Sequence, residues 1–525
     1  VASLAGATSK GEGAAVKVLL IDPPFYRLIG FYNRYFPIGL VSVGTALRDA
    51  GHEVIVYDAD INENPSVIGN TCLTRYYPQY LDSFHQPDNA IWAEVRDTLT
   101  AVRPDVVGIT MCTTYAAAGF HVAQMSKAIN PACPVMVGGP HATARAEEIL
   151  RICPDVDYVV RGEGEVTARE LIAAIAPVCS VPARAYKGTP CGVTTSAPLD
   201  AIQGLSFRVG GSIRHNPPRE RIRDLDAFSP PDRALMMNKD TYSPEDMGLI
   251  MTSRGCPFAC TFCATDSRQV RYRSIAHVLR EIRHVRDTYR TVHFTLKDDS
   301  FTVNKKRVAE FCDALIRENL RIGWECNTRV DLVSEEMLRG MKRAGCNSVK
   351  VGIESGSEQV LARMNKRITV DQIRTAARLF RKVGLHWTGY FLMGTPGETR
   401  EDIYKTLDFM YEIKPDFAAI GVYEPFPETV MFHEGIRLGL FKPDMSMDEF
   451  YTVRPNHYYK ADPRRQVETI EPEQFDRLEQ EIKDRFYDYN KGLRRLLSRA
   501  RARTIQYTRS PRVLVADFKK YLIWR

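Results

Sequence analysis

No uninterrupted apolar stretch long enough to cross a bilayer occurs in the 525 residues, which excludes a membrane-spanning helix of ordinary length. The first residues, Val1 to Ala15, are small and polar and lack the apolar centre of a secretory signal; they read as a disordered leader. Cysteine is scarce: twelve in a chain of this length is too dilute for a secreted disulfide scaffold. The expected compartment is therefore a reducing cytoplasm, where clustered cysteines read first as metal ligands. The glycine-rich dinucleotide fingerprint is missing, because Asp22-Pro23-Pro24 stands after the first strand where GxGxxG is required, and no phosphate-cradling P-loop occurs. A broadly basic surface is missing as well. Residues 491–525 hold eleven Lys and Arg against one Asp, and that local +10 within an overall +7 leaves the rest at about −3. The body is not a nucleic-acid binder.

What is present is a β/α rhythm in two parts. Val16 to Asp22 is a continuous apolar run of strand length, followed by a helical pattern over Val41 to Ala50. Further strands are expected at His52–Asp58, Asp105–Thr110, Pro134–Gly138 and Tyr158–Arg161, so residues 16–195 form one doubly wound domain. Its ligand belongs at the carboxyl ends of the strands. Residues 196–245, with Pro217-Pro218 and Pro230-Pro231, read as a connector. From Gly248 the rhythm restarts, with strands near Gly248–Thr252, Val292–Leu296, Gly323–Cys326, Ser348–Ile353, Trp387–Met393 and Ala418–Tyr423. Six βα units over 246–450 predict a partial (βα)6 barrel, and 451–525 a helical, basic C-terminal region. The fold class is α/β.

The most specific feature is Cys256-Pro-Phe-Ala-Cys260-Thr-Phe-Cys263, in the loop after the first strand of the second domain. Three thiolates from one short loop hold three irons of a [4Fe-4S] cluster and leave the fourth open to a substrate, whereas a closed electron-transfer cluster takes four ligands. A zinc knuckle or unrelated thiols are the bland alternatives, and the other nine cysteines read as core residues.

This loop, with Phe262 before its last cysteine, resembles the signature of the radical S-adenosylmethionine (SAM) superfamily. Phe294-Thr-Leu-Lys-Asp298-Asp299-Ser-Phe301, Trp324-Glu-Cys-Asn-Thr-Arg329-Val-Asp331, Gly352-Ile-Glu354-Ser355-Gly356-Ser357, Met364-Asn365-Lys366 and Gly394-Thr-Pro396-Gly397-Glu398-Thr399 resemble its landmarks in its order. The likeness implies that Cys256, Cys260 and Cys263 ligate the cluster and that the methionyl group of SAM chelates the open iron. It also implies that Asp298, Arg329, Glu354 and Ser355 stand near SAM. A carboxylate accepts from ribose hydroxyls or the amine, and an Arg fork holds the carboxylate.

In the first domain Thr110-Met111-Cys112-Thr113-Thr114, Gly138-Gly139-Pro140-His141-Ala142-Thr143 and Arg161-Gly162-Glu163-Gly164-Glu165 resemble the cobalamin-binding domain of the cobalamin-dependent radical SAM enzymes. The resemblance makes Thr110, Met111, Cys112, Thr113, Gly138, Gly139, His141, Gly162 and Glu163 the candidates for the corrinoid, glycines letting its nucleotide tail approach the backbone. One departure stands out. Many cobalamin proteins carry DxHxxG after the first strand, and none of the eleven histidines here has Asp two positions before it. Cobalt without a histidine on its lower face is expected, and His141 reads as structural more readily than as a ligand.

The resemblance as a whole implies a methylase: one SAM methylates cobalamin, and a second is cleaved to a 5′-deoxyadenosyl radical that opens an unactivated carbon of a small-molecule substrate to the methyl group. No side-chain acid or base is required. The alternatives are the same cofactor pair used for oxidative cyclisation or rearrangement, as in enzymes resembling the anaerobic magnesium-protoporphyrin ester cyclase; methylthiolation of tRNA; and a non-enzymatic corrinoid carrier, which leaves the three-cysteine loop without purpose. An electron donor such as flavodoxin or ferredoxin is the implied protein partner. Tyr423-Glu424-Pro425-Phe426 and His457-Tyr458-Tyr459 offer groups for a substrate, with packing as the bland reading. The basic tail, divided by Pro511 into two expected helices, reads as packing on the barrel before it reads as a contact for anionic membrane.

Overall fold

A computed structural model describes residues 15–31, 35–61, 76–179, 198–265, 267–509 and 514–515. The leader and Pro511 lie outside them, apart from Ala15.

The first sheet holds β1 (Lys17–Asp22), β2 (Glu53–Asp58), β3 (Val106–Thr110), β4 (Val135–Gly138), β5 (Tyr158–Val160), β6 (Leu205–Val209) and β7 (Ser212–His215), in the order β2-β1-β3-β4-β5-β6-β7. Its first five strands are parallel. Leu19 and Ile21 pack on one face and Val18 and Leu20 on the other, which is why the strand reads as an unbroken apolar run. The chain reverses direction across the sheet between β1 and β3, and the crevice at their carboxyl ends is where open α/β sheets bind ligands.

β6 and β7 lie in the segment expected as a connector. They extend the sheet antiparallel to β5 and to each other. Their turn is Gly210-Gly211, both with positive φ (54° and 85°), the conformation a two-residue hairpin requires. Val209-Gly-Gly-Ser212 was the available signal, overshadowed by the prolines around it. The rest of the connector is anchored by Arg233, which is fully buried, donates to the Met247 and Leu249 carbonyls (both 2.9 Å) and pairs with Glu281 at 2.9 Å.

The second sheet holds β8 (Leu249–Ile250), β11 (His293–Leu296), β12 (Gly323–Thr328), β13 (Cys346–Glu354), β14 (His386–Met393) and β15 (Phe417–Val422), all parallel, in the order β15-β14-β13-β12-β11-β8. β9 (Ser253–Arg254) and β10 (Arg271–Tyr272) pair antiparallel at the two ends of the cysteine loop. This is the six-unit partial barrel the sequence predicts. Its helices start where capping boxes stand, Thr369 with Gln372 and Thr399 with Asp402. The edge strand β15 is covered by the helix Pro472–Lys491, whose Asn490 accepts from the Ala418 N–H (3.0 Å) and donates to its carbonyl (2.7 Å). That capping removes an edge open to other chains.

Residues 440–460 return to the first domain. Phe450, Tyr458 and Tyr459 are buried there, the Tyr459 hydroxyl donating to Glu148 at 2.9 Å and Tyr451 to Gln124 at 2.8 Å. Among the described residues the tail forms two helices, Leu493–Ala502 and Thr504–Arg509; both lie before Pro511, so the break between them falls at Arg503 and not at the proline. The first leans on the barrel through Ser498, which donates to Asp416 (2.7 Å), and Arg495, 3.4 Å over the Tyr489 ring. Among the described residues no helix is long and apolar enough to cross a membrane.

Candidate active site between two carboxyl-end faces

The cysteine loop rises from the carboxyl end of β8 and is tied down from several directions. At its base Asp298, buried, accepts from the Thr252 N–H (2.6 Å) and hydroxyl (2.5 Å) and from the Ser253 N–H (3.1 Å) and hydroxyl (2.7 Å). Its carboxylate thus fixes the turn into the loop. On the far side Asn365 donates to the Ala259 carbonyl (2.7 Å), the Thr261 N–H donates to the Met364 carbonyl (2.9 Å), and the Met431 N–H donates to the Thr261 carbonyl (2.9 Å). At its two ends Glu163 of the first domain accepts from Arg271 (2.8 and 2.9 Å) and Arg254 (3.3 Å), and Glu165 accepts from Arg254 (2.5 Å). Glu163, expected near the corrinoid, spends its carboxylate on this clamp and on the Ile222 N–H (2.8 Å).

Cys256, Cys260 and Cys263 are free and half-buried. Burial pushes the Cys260 thiol up, while Lys366 and Arg329 beside it pull it down. Arg329 lies 3.9 Å from the Cys260 sulfur and 3.6 Å over the Phe258 ring, its fork held by Asp331 (3.0 and 3.2 Å). Glu354, at a positive φ of 66°, pairs with Lys366 at 2.6 Å, and Lys366 stands 5.9 Å from the Phe262 ring. Ser355 is fully buried, its hydroxyl engaged with Thr406 (2.9 Å) and the Ser357 N–H (3.0 Å). Burial raises the Cys256 thiol, with a smaller contribution from the Asp299 carboxylate near the same loop. Arg329, Glu354 and Phe262 therefore gather at the cysteines, Asp298 and Ser355 lie in the supporting layer, and Lys366 and Asn365 carry roles that the bare motif did not reveal. No three His, Cys, Asp or Glu among the described residues converge on a single ion. Three thiols along one loop, with two cations beside the middle one, suit an anionic thiolate-ligated cluster.

The carboxyl end of the first sheet is built differently. The turns after β3 and β4 cross: the Met111 N–H donates to the Gly138 carbonyl (2.8 Å) and the His141 N–H to the Met111 carbonyl (3.1 Å). A Cβ on Gly139, whose φ is 99°, would stand 2.8 Å from the Met111 carbonyl oxygen, whereas one on Gly138 would meet nothing nearer than 3.6 Å. Gly139 is thus demanded by the chain's own crossing, and Gly138 leaves an open approach. The Gly162 N–H donates to Thr143 (2.9 Å), bringing the third turn to the same edge. His141 is buried against Phe450 and Tyr459, with Nδ1 3.2 Å from the Thr113 hydroxyl and burial lowering it to about 3. The Cys112 thiol, pushed up to about 11 by burial, accepts from Tyr115 (3.1 Å). Beside it Asp22, Asp58 and Asp60 form an acidic group no motif pointed to; burial raises all three. Asp58 accepts from the Tyr242 hydroxyl, and Asp60 from the Phe25 (2.7 Å) and Arg27 (2.8 Å) N–H groups. A backbone floor with an open approach at Gly138 suits a large planar group with a polar tail.

The two segments expected to meet a substrate do converge in part. Tyr423, Glu424, Asn456, His457 and Lys460 line a small cavity of about 50 Å³ at the carboxyl end of β15. Tyr458 and Tyr459 are instead core residues, 2% and 0% exposed.

A doubly wound sheet whose carboxyl edge meets a six-strand partial barrel bearing a three-thiol loop defines the class: a radical SAM fold carrying a corrinoid-type domain. Comparison with known proteins agrees. Residues 250–410 match the radical SAM superfamily, and residues 28–172 match the B12 binding domain. The chain is 31% identical over 448 residues, 84% of it and 87% of the relative, to an uncharacterized methyltransferase of Pyrococcus horikoshii. It is 30% identical over 348 residues to the anaerobic magnesium-protoporphyrin IX monomethyl ester cyclase of Rubrivivax gelatinosus, covering 65% of this chain and 60% of that one. Its fold matches the radical SAM methyltransferase TsrM of Kitasatospora setae, solved with cobalamin and a [4Fe-4S] cluster, with a TM-score of 0.59 at 19% identity over 82% of this chain and 79% of that one. The chain belongs to the B12-binding radical SAM enzymes, a family for which a [4Fe-4S] cluster, SAM and cobalamin are typical.

Proposed function

We propose that this enzyme is a methyltransferase, moving a methyl group from SAM by way of cobalamin to an unactivated carbon of a small-molecule substrate. The observation that carries the reading is the meeting of the two faces: the cysteine loop is clamped at both ends by Glu163 and Glu165 of the first domain, so the sites for the two cofactors are parts of one rigid arrangement. The likeness to a methyltransferase over most of both chains supports it.

When bound, the cluster with SAM supplies a hydrogen-abstracting radical and the corrinoid supplies the methyl group. The chain's own residues hold and shield. Cys256, Cys260 and Cys263 would ligate the cluster. Arg329 and Lys366 offset its negative charge, and Arg329, Glu354 and Asp299 present polar atoms suited to the ends of SAM. Gly138 and Thr110 to Thr113 form the floor for the corrinoid, with no histidine offered to cobalt after β1, where Asp22-Pro23-Pro24 stands. An external donor of flavodoxin or ferredoxin type supplies the electron.

The test is product mass. Anaerobically reconstituted protein, incubated with candidate metabolites and SAM bearing a deuterated methyl group, should give a product heavier by one labelled methyl. A product without added carbon would overturn the reading and move the enzyme toward the cyclases it also resembles.

A further inference from the structure

Between the two faces lies a group of side chains that neither the cysteine loop nor the corrinoid floor uses. On β11, Phe294 and Leu296 are buried against the helices, so Thr295 and the next alternate position, Lys297, face the interior of the barrel. Neighbouring strands add Glu325 from β12, Lys350 from β13 and Tyr390 from β14. Glu325 is fully committed: it pairs with Lys350 at 2.6 Å and accepts from Thr295 at 3.0 Å, and despite burial Lys350 and His293 hold its carboxyl down at about 2. Lys297 is not committed. Among the described residues no carboxylate stands within ion-pair distance, and its one partner is the ring of Tyr35, whose centre is 5.3 Å from Nζ.

Tyr35 comes from the first domain, beyond β1, and reaches across to the barrel. It keeps 48% of its surface open, and Tyr390 opposite keeps 41%, both large for aromatics set in an interior. Tyr35 thus carries the first domain to the mouth of the barrel, beside Lys297. Burial and then repulsion from Lys350 lower the Lys297 ammonium, against weaker attraction from Glu325 and Asp299.

We infer that Lys297 anchors an anionic group of the substrate, a carboxylate or a phosphonate, while Tyr35 and Tyr390 flank an apolar body. This rests on the reading above only in that a small molecule enters the cleft. An accessible ammonium beside aromatic walls, with no carboxylate in ion-pair distance among the described residues, favours an acid with an apolar body over its neutral isostere, because only the acid brings the missing counter-charge. A carboxylate could also come from SAM itself, and the test separates the two sources.

The experiment is competitive acetylation of the anaerobic holoenzyme, loaded with cluster and cobalamin, with the rate at Lys297 read by peptide mass spectrometry against exposed lysines. The probes are 4-phenylbutyrate, its neutral amide 4-phenylbutyramide, and S-adenosylhomocysteine. The expected result is slowing at Lys297 by 4-phenylbutyrate of at least about tenfold beyond that by the amide, the worth of one charge-assisted hydrogen bond, with S-adenosylhomocysteine already present. Dialysis of radiolabelled 4-phenylbutyrate against K297M, which keeps the methylene stem, should show binding lost while cluster absorbance and the cobalamin spectrum remain. Equal protection by the amide, no protection by the acid, or full protection by S-adenosylhomocysteine alone would each overturn the assignment. None of these readouts involves methyl transfer, so a failure here leaves the methyltransferase reading standing, and a product without added carbon leaves Lys297 in place.

Discussion

The two carboxyl-end faces solve opposite problems. The barrel face holds a loop of soft ligands in position by side chains, with Asp298 beneath it, Asn365 beside it and Arg329 against Cys260. The face of the first sheet leans more on its backbone, which crosses itself at Met111, Gly139 and His141, with Thr143 tying in the third turn. A cluster bonds to particular atoms and needs them fixed, whereas a corrinoid needs a surface it can lie along. Polar side-chain networks serve the first and the absence of side chains serves the second.

Removing the ligands should break the comparison most completely. Replacing Cys256, Cys260 and Cys263 with Ala should abolish cluster absorbance and SAM cleavage while hydroxocobalamin still binds; a cluster retained in that variant would sink the ligand assignment. On the other face, Gly139→Ala forces a side chain into a positive-φ position against the Met111 carbonyl. A loss of about 3 kcal/mol is expected in denaturant melts, together with loss of cobalamin, the cluster being spared. Gly138→Ala has room and should leave stability within about 0.5 kcal/mol. If Gly138→Leu then expels cobalamin without lowering the melting temperature, the open approach at that position is the corrinoid's.

A pH dependence distinguishes the barrel further. Glu398, buried in the turn after β14, has its carboxyl pushed up by burial from 4.5 to about 7, against hydrogen bonds from Thr395. The folded chain therefore holds this proton more tightly than the unfolded chain, and its contribution is lost as pH rises from about 4.5 through 7. Glu398→Gln should match the wild type in acid and exceed it by about 3 kcal/mol at pH 8, measured by urea melts across that range. A difference that does not change with pH would show that Glu398 is not protonated when folded. A modest effect is expected of Asn365→Ala, which removes one tie to the Ala259 carbonyl. It should cost about 1 kcal/mol and speed iron loss to a chelator, with cobalamin binding unchanged.

The same contrast decides what could be read in the sequence. Thiols at fixed spacing announce themselves, and Arg329, Glu354 and Phe262 were legible because their motifs sit at strand ends beside that loop. A floor made of backbone leaves only glycines and turn residues as its trace, so Gly139 was visible while its reason, the Met111 carbonyl, was not. The tie from Glu163 to Arg254 and Arg271 was not legible, because a carboxylate in a glycine-rich turn looks the same whether it faces a cofactor or an arginine from another domain. β6 and β7 were hidden by prolines on either side of a Gly-Gly hairpin. Asp22, Asp58 and Asp60 end strands far apart in sequence, and only the parallel pairing of β1 with β2 collects them. Lys297 escaped for a similar reason: an isolated lysine before two aspartates carries no pattern until the opposing tyrosine from the other domain is seen.

The bracket formed by Glu163, Arg254 and Arg271 has a consequence for the life of the protein. Arg254 and Arg271 face each other in the short β9–β10 pair, so the cysteine loop is closed at its base by protein groups that are not ligands of the cluster. A loop already closed has little chain freedom to surrender when it takes up its metal, and little to regain when it gives the metal up. Damage by oxygen that strips the iron should therefore leave the loop at its post and the domains joined, so that repair consists of refilling a standing site rather than refolding a chain.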